Sequence, residues 1–206
     1  LVPDKRLAAF IQPLRDVDAF KRSHRIPSQA ADSPGYDADS GDYWRGGVWS
    51  PTNCMVLKGL RNAGQPALAH EIAMNHVERV AAVFQQTDTF WENYAPETAA
   101  PGAPARPNFV GWTGITPIAI LIEDVVGICS DWPQRRIEWD RRLACTKEYG
   151  VRNYPLGPDT VIDLLGTAEQ ITITTSSPLT LVVHDAATGL DMQTAVPAGT
   201  TTIDLS

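Results

Sequence analysis

At 206 residues, with 43% apolar and 20% charged side chains, the chain is long enough to bury one sizeable core or two small ones, and its composition is not that of a disordered segment. Its formal charge of −7 is spread without any run of Lys or Arg, which argues against nucleic acid and against an anionic membrane surface as partners, because both demand a basic patch. No apolar stretch reaches the roughly 18 residues of a membrane-spanning helix and the amino-terminal residues form no signal-peptide core, so the chain as given reads as soluble.

In chain order, a short helix is expected over Asp4 to Leu14, followed by a long, turn-rich connection from Ser23 to Asp42. Ser50 is a good N-cap and Pro51 suits the first helical position. The helix they open carries Met55, Val56, Leu57 and Leu60 and stops at Gly64, a residue type common just past a helix end. A second helix runs from about Pro66 to Gln86, with Ala69, Ile72, Ala73, His76, Val77, Val80 and Phe84 on one face. Asn93 to Asn108 contains four prolines and forms another long connection, and long loops inside a domain are usually functional. From Thr113 to Val126 the chain is apolar nearly all round, which predicts a helix covered on every side. Pro133 to Lys147 reads as a further short helix. Past Gly150 the pattern turns to short alternating runs over Thr160–Leu165, Gln170–Thr175, Pro178–His184, Asp191–Val196 and Thr200–Leu205. The expected organisation is a helical part over 1–149 and an antiparallel sheet or small sandwich over 150–206, the latter with a packing role.

Chemistry concentrates in two aromatic-rich segments, Tyr43-Trp44-Arg45-Gly46-Gly47-Val48-Trp49 and Phe90-Trp91-Glu92-Asn93-Tyr94. Four of the six tryptophans, Trp44, Trp49, Trp91 and Trp112, fall inside one stretch of about 70 residues. A pyranose stacks its apolar face on Trp or Tyr and needs planar polar partners such as Arg and carboxylate at its hydroxyl edge, so Arg45 and Glu92 among these rings suggest a sugar site. Arg45 suits either sugar hydroxyls or a structural carboxylate. Other signals are weaker. Cys54, Cys129 and Cys145 form no C-x-x-C pair, so neither a disulfide framework nor a thiolate metal site is indicated, and a reducing cytoplasm is mildly favoured. His70 and His76 are six apart and fall on different faces of a helix, which argues against a metal role. Asp37 to Asp42 has the look of a calcium loop, but Gly41 stands at a ligand position and Val48 where a bidentate Glu is required, so a solvated acidic turn is the better reading. His184-Asp185 with Ser176-Ser177 lacks a nucleophile elbow and carries no triad.

Tyr43 to Asn53, Thr89 to Tyr94, and Phe109-Val110-Gly111-Trp112-Thr113-Gly114 together resemble the carboxyl-terminal half of an (α/α)6-toroid glycosidase. The group most similar is glycoside hydrolase family 63 with the mannosylglycerate and glucosylglycerate hydrolases, trehalase being more distant. The resemblance implies a mainly α fold, a partial toroid followed by the small β region, and an inverting, exo-acting α-glycosidase of the glucosidase or mannosidase type. It implies that Glu92 is the general base, a role an ionised Glu suits at neutral pH. It also implies a substrate wall of Tyr43, Trp44, Arg45, Gly46, Trp49, Trp91, Asn93, Tyr94 and Trp112.

An inverting glycosidase needs a second carboxyl group, about 6.5–9.5 Å from the first, to protonate the leaving oxygen. In the family this acid lies in a G-x-D-N-S-P-like motif on the amino-terminal side, and nothing here fits it; Ala31-Asp32-Ser33-Pro34 lies too close before Tyr43. The expectation is therefore the base-bearing portion of an enzyme, acting on an α-linked glucoside or mannoside without cofactor or metal. Assembly with a second copy or with the missing half of the ring is expected, through residues of 113–126 or 50–63. The alternative is a non-catalytic sugar-binding or structural protein that keeps the aromatic wall.

Overall fold

A computed structural model describes residues 2–143, 145 and 147–205. The periodicity of the first half yields helices where apolar residues recur every three or four positions. α1 spans Asp4–Ile11 and a 3-10 turn continues it over Gln12–Arg15. α2 spans Ser50–Asn62, with Trp49 rather than Ser50 at the cap position and Leu57 and Leu60 buried. α3 spans Pro66–Thr87 and buries Leu68, Ala69, Ile72, Ala73, His76, Val80 and Val83, a stripe at helical spacing. It ends at Asp88, whose φ of 54° is the left-handed conformation that stops helices. α4 is one turn, Val110–Thr113, and a π-helix follows over Thr116–Val126. Apolar composition all round predicts full cover for this last helix, but Ile118 is 66% exposed.

The mainly α, partial-toroid expectation is overturned. Among the described residues there are four α-helices and eight strands, the strands in two four-stranded sheets. The strands are β1 Ile128–Asp131, β2 Arg136–Arg141, β3 Tyr149–Leu156, β4 Thr160–Gly166, β5 Gln170–Thr175, β6 Leu179–Asp185, β7 Leu190–Val196 and β8 Gly199–Asp204. β2 lies in the stretch where a helix is expected over Pro133 to Lys147. Ile137, Trp139 and Arg141 alternate inward there, a period of two.

Two compact units result, residues 1–124 and 125–206. In the second, the sheets have strand orders β1-β2-β6-β7 and β3-β4-β5-β8, and β2 pairs with β6 in parallel, so the region is not purely antiparallel. Ile128, Ile137, Trp139, Leu181 and Val183 from one sheet and Ile162, Leu164, Ile171 and Ile173 from the other are all fully or almost fully buried. The Trp139 ring meets Tyr149 of the other sheet edge-on at 5.4 Å, so this unit is a sandwich. In the first unit, irregular chain is tied together by isolated bridges, Pro27 to Val48, Val48 to Tyr94 and Trp91 to Pro107. Those bridges bring the two aromatic segments side by side.

Candidate active site

The loop before α2 turns back on itself. Asp37 accepts from the amides of Ser40 (2.7 Å) and Gly41 (2.9 Å), and the Ser40 amide foremost holds its carboxyl below the usual range. The acidic turn is thus occupied by its own backbone. Asp42 and Tyr43 both have positive φ, 29° and 63°, a conformation that non-glycine residues adopt only under constraint. A Cβ on Gly47 would lie 2.3 Å from the Tyr43 carbonyl, so only glycine lets the loop close this tightly. The same carbonyl accepts the indole N–H of Trp49 at 3.1 Å. The strained turn therefore fixes both the Tyr43 ring and Trp49.

Trp49 is 1% exposed and forms the base of an aromatic cluster. Trp44, 52% exposed, stacks on it with centroids 4.3 Å apart and planes 11° from parallel. Tyr43 and Trp112 meet Trp49 edge-on at 4.7 and 5.5 Å. Stacked and edge-on pairs hold ring orientation as well as burying area.

Glu92 is held along its backbone. Its N–H donates to the Arg106 carbonyl at 2.9 Å, and its own carbonyl accepts the Trp112 indole N–H at 3.1 Å. The hydroxyl of Thr113 donates to the Trp91 carbonyl one residue earlier, at 2.7 Å. The carboxylate, on a residue 7% exposed, accepts the Tyr43 phenol at 3.1 Å, and among the described residues no Lys or Arg pairs with it. That hydrogen bond, foremost, raises the Tyr43 phenol above its ordinary pKa. A nearly buried carboxylate whose partner is a neutral donor keeps acceptor capacity for a water or a sugar hydroxyl.

The structure gathers the side chains of Tyr43, Trp44, Trp49, Glu92 and Trp112, and the other residues of the expected wall bond elsewhere. Trp91 donates its indole N–H to Thr87 at 3.1 Å and packs on the core of Val48, Val80, Val83 and Tyr94. Tyr94 is a core residue, its phenol pushed up to about 12 by burial. Asn93 is fully buried and donates to the Pro104 carbonyl at 3.0 Å. Arg45 is exposed and bridges Asp42 at 2.8 Å and the Gly35 carbonyl at 2.7 Å. Gly46 donates its N–H to Ser28 at 3.3 Å. The sequence reading missed Phe109, whose ring lies 5.2 Å from Trp112, and the hydroxyl of Thr113; both sit inside the third motif, where an aromatic and a hydroxyl flank Trp112.

In the second unit, Asp185 pairs with Arg141 at 2.7 Å and caps a turn at Ala187 and Thr188, while His184 binds Asp191 at 2.6 Å, so these residues form no triad. Among the described residues no group of three or more His, Cys, Asp or Glu gathers as a metal site, and no helix is long and apolar enough to cross a membrane.

Residues 1–113 match the family model of the mannosylglycerate hydrolase MGH1-like glycoside hydrolase domain. A protein of undetermined function from Borreliella burgdorferi is 21% identical over 148 residues, covering 66% of this chain and 31% of that protein. A probable mannosyl-oligosaccharide glucosidase of Schizosaccharomyces pombe is 28% identical over 120 residues, 53% of this chain and 14% of the yeast protein. Among solved structures, a family 63 mannosylglycerate hydrolase from Thermus thermophilus, in complex with Tris, is 29% identical with a TM-score of 0.40, covering 48% of this chain and 22% of that one. The chain therefore spans less than a third of the length of these relatives.

Proposed function

The chain belongs to the MGH1-like family of glycoside hydrolases, related to family 63, and from that premise we propose that it carries the general base of an inverting, exo-acting α-glucosidase or α-mannosidase. Glu92 orients the attacking water, Tyr43 holds the carboxylate in place, and Trp44 and Trp112 present ring faces and edges to the terminal sugar. The general acid comes from residues outside this chain. What carries the reading is the Glu92 carboxylate, nearly buried, bound by a phenol at 3.1 Å and unpaired by any cation among the described residues, beside the stacked Trp44–Trp49 pair.

The chemistry suggests its own test. Loss of a general acid costs roughly 10²–10⁴-fold when the leaving group must be protonated. Fluoride needs no such help. The chain alone is expected to leave alkyl α-glycosides intact and to hydrolyse α-glucosyl or α-mannosyl fluoride to the β-sugar, with turnover abolished by Glu92→Gln. A retained anomer, or turnover that survives Glu92→Gln, refutes the reading. The rival role, sugar binding without catalysis, is favoured by how open Trp44 is, and it predicts sugar affinity with no Glu92-dependent turnover of the fluoride.

The same reading includes assembly. Met55 on α2, Val110 and Ile118 are each at least 60% exposed, and a second copy or the acid-bearing portion would cover them. Sedimentation equilibrium of the chain at micromolar concentration distinguishes a self-associating species from a monomer.

A further inference from the structure

Behind the aromatic cluster runs a file of four buried polar side chains. His24 Nε2 lies 3.0 Å from His76 Nδ1, and His76 Nε2 lies 3.0 Å from Thr116 Oγ1. Thr116 Oγ1 in turn donates to Ser50 Oγ at 2.7 Å. All four residues are between 0 and 1% exposed. They come from four segments: the loop before Pro27, the middle of α3, the start of the π-helix and the first residue of α2.

Donor and acceptor capacity fixes the protons along this file. A threonine hydroxyl has one hydrogen, and Thr116 gives it to Ser50, so toward His76 it can only accept. His76 therefore carries its proton on Nε2, which leaves Nδ1 as an acceptor. His24 must then donate from its own Nε2. With Thr116 as the donor to Ser50, both imidazoles are assigned as neutral Nε2–H tautomers and the file runs His24 to His76 to Thr116 to Ser50, while the Ala95 backbone at His24 and the Arg25 backbone at His76 pull each ring toward protonation. Burial, the largest influence on each ring, holds both histidines below their ordinary pKa, consistent with neutral rings.

The file ends where the candidate site begins. Ser50 directly follows Trp49, the base of the aromatic stack. Thr116 lies just past Trp112 and Thr113, whose indole and hydroxyl hold the carbonyls of Glu92 and Trp91. The Thr116–Ser50 bond is thus the stitch between the segment bearing the rings and the segment clamping the carboxylate strand. We propose that His76 is a positioning residue: by donating to Thr116 it orients the Thr116–Ser50 bond, and so sets Trp49, with Trp44 stacked on it, against Trp112 and Glu92. Its meaning for sugar chemistry rests on the function proposed above, whereas the alignment itself does not.

The rings supply a direct readout, because two indoles stacked this closely give an exciton couplet in circular dichroism, assigned by its loss in Trp44→Phe. Thr116→Val removes the stitch with little change of shape, and Thr116→Ser restores it. At His76, Gln places an amide donor near Nε2, whereas Asn keeps only a group near Nδ1. The expected result is that Thr116→Val and His76→Asn, shown folded by denaturation curves, lose the couplet, while Thr116→Ser and His76→Gln keep it. Nitrogen-15 shifts of the wild type should show both rings neutral and protonated at Nε2. A folded Thr116→Val with an intact couplet, or a His76 protonated at Nδ1, overturns the proposal; if His76→Asn does not fold, the Thr116 pair alone decides. Titration with glucose and mannose separates the two readings: a couplet that follows Thr116 in a protein without sugar affinity upholds the positioning role and refutes the sugar site.

Discussion

Acid should weaken the helical unit through His76, and the size of the effect follows from its burial. The ring is fully enclosed, and desolvation lowers its pKa from 6.5 to about 4, against a smaller upward pull from the Arg25 backbone. Below pH 6.5 the unfolded chain binds a proton here that the folded chain refuses. Stability is therefore fully present above the unfolded value and drains away as pH falls toward about 4. Each unit of that gap is worth about 1.4 kcal/mol, so the whole gap amounts to about 3 kcal/mol. His24, lowered by burial and then by His76 and Arg79, acts in the same direction. The other groups around the pair stay fixed or titrate elsewhere. The Tyr94 ring, 5.5 Å from His24, has its phenol pushed up to about 12 by burial and stays neutral. Glu71, pushed up by burial but pulled down further by Arg25 and Lys21, stays below the usual carboxylate value. Asp124 opposes the trend: burial raises its carboxyl to about 6 despite Arg61, so acidification relieves a penalty there. The wild-type curve alone is consequently flattened, and the informative quantity is the difference between wild type and His76→Gln. Urea unfolding followed by the Trp44–Trp49 couplet, at a series of pH values from about 7 to about 4.5, should show wild type losing roughly 2–3 kcal/mol relative to the variant. A difference that stays constant across that range refutes the neutral, buried assignment of His76.

The remaining predictions concern packing. Gly102→Ala would place a Cβ 1.8 Å from Asn93 Oδ1, inside a fully buried contact, and should cost about 1–3 kcal/mol in urea unfolding and diminish the couplet. Trp49→Ala should cost about 3–5 kcal/mol because the ring is almost completely enclosed. Trp44→Ala, by contrast, should leave stability within about 1.5 kcal/mol of wild type while removing whatever sugar affinity titration detects. In the sandwich, Arg141→Met leaves Asp185 buried without its cation, 2.7 Å away in the native pair, and calorimetry should register a loss of about 3–5 kcal/mol in that unit.

What the sequence disclosed, and what it hid, divides along the distance over which each feature is decided. α3, β4 and β5 are written in local periodicity, because each buries one face and the period alone assigns it. β2 is written the same way, but its third inward residue is Arg141, and an arginine reads as an outward position unless its partner is known. That partner, Asp185, lies 44 residues later on the parallel neighbour β6. Without it the stretch looks helical. The site behaves likewise. Clustering of aromatics around Glu92 marked segments that the fold brings side by side, yet composition could not say which rings face the carboxylate. Trp91 is turned away by the Thr87 hydroxyl at the end of α3, and Tyr94 is drawn into the core by paired hydrogen bonds with Val48, 46 residues earlier. The buried file is the extreme case. Its links join residues 52, 40 and 66 positions apart, and none of its four members is unusual in its own neighbourhood. A serine at a helix start, a threonine before a proline and a histidine on an apolar face each have a sufficient local explanation. Only the fold, by setting them in line and excluding water, joins the four into one file.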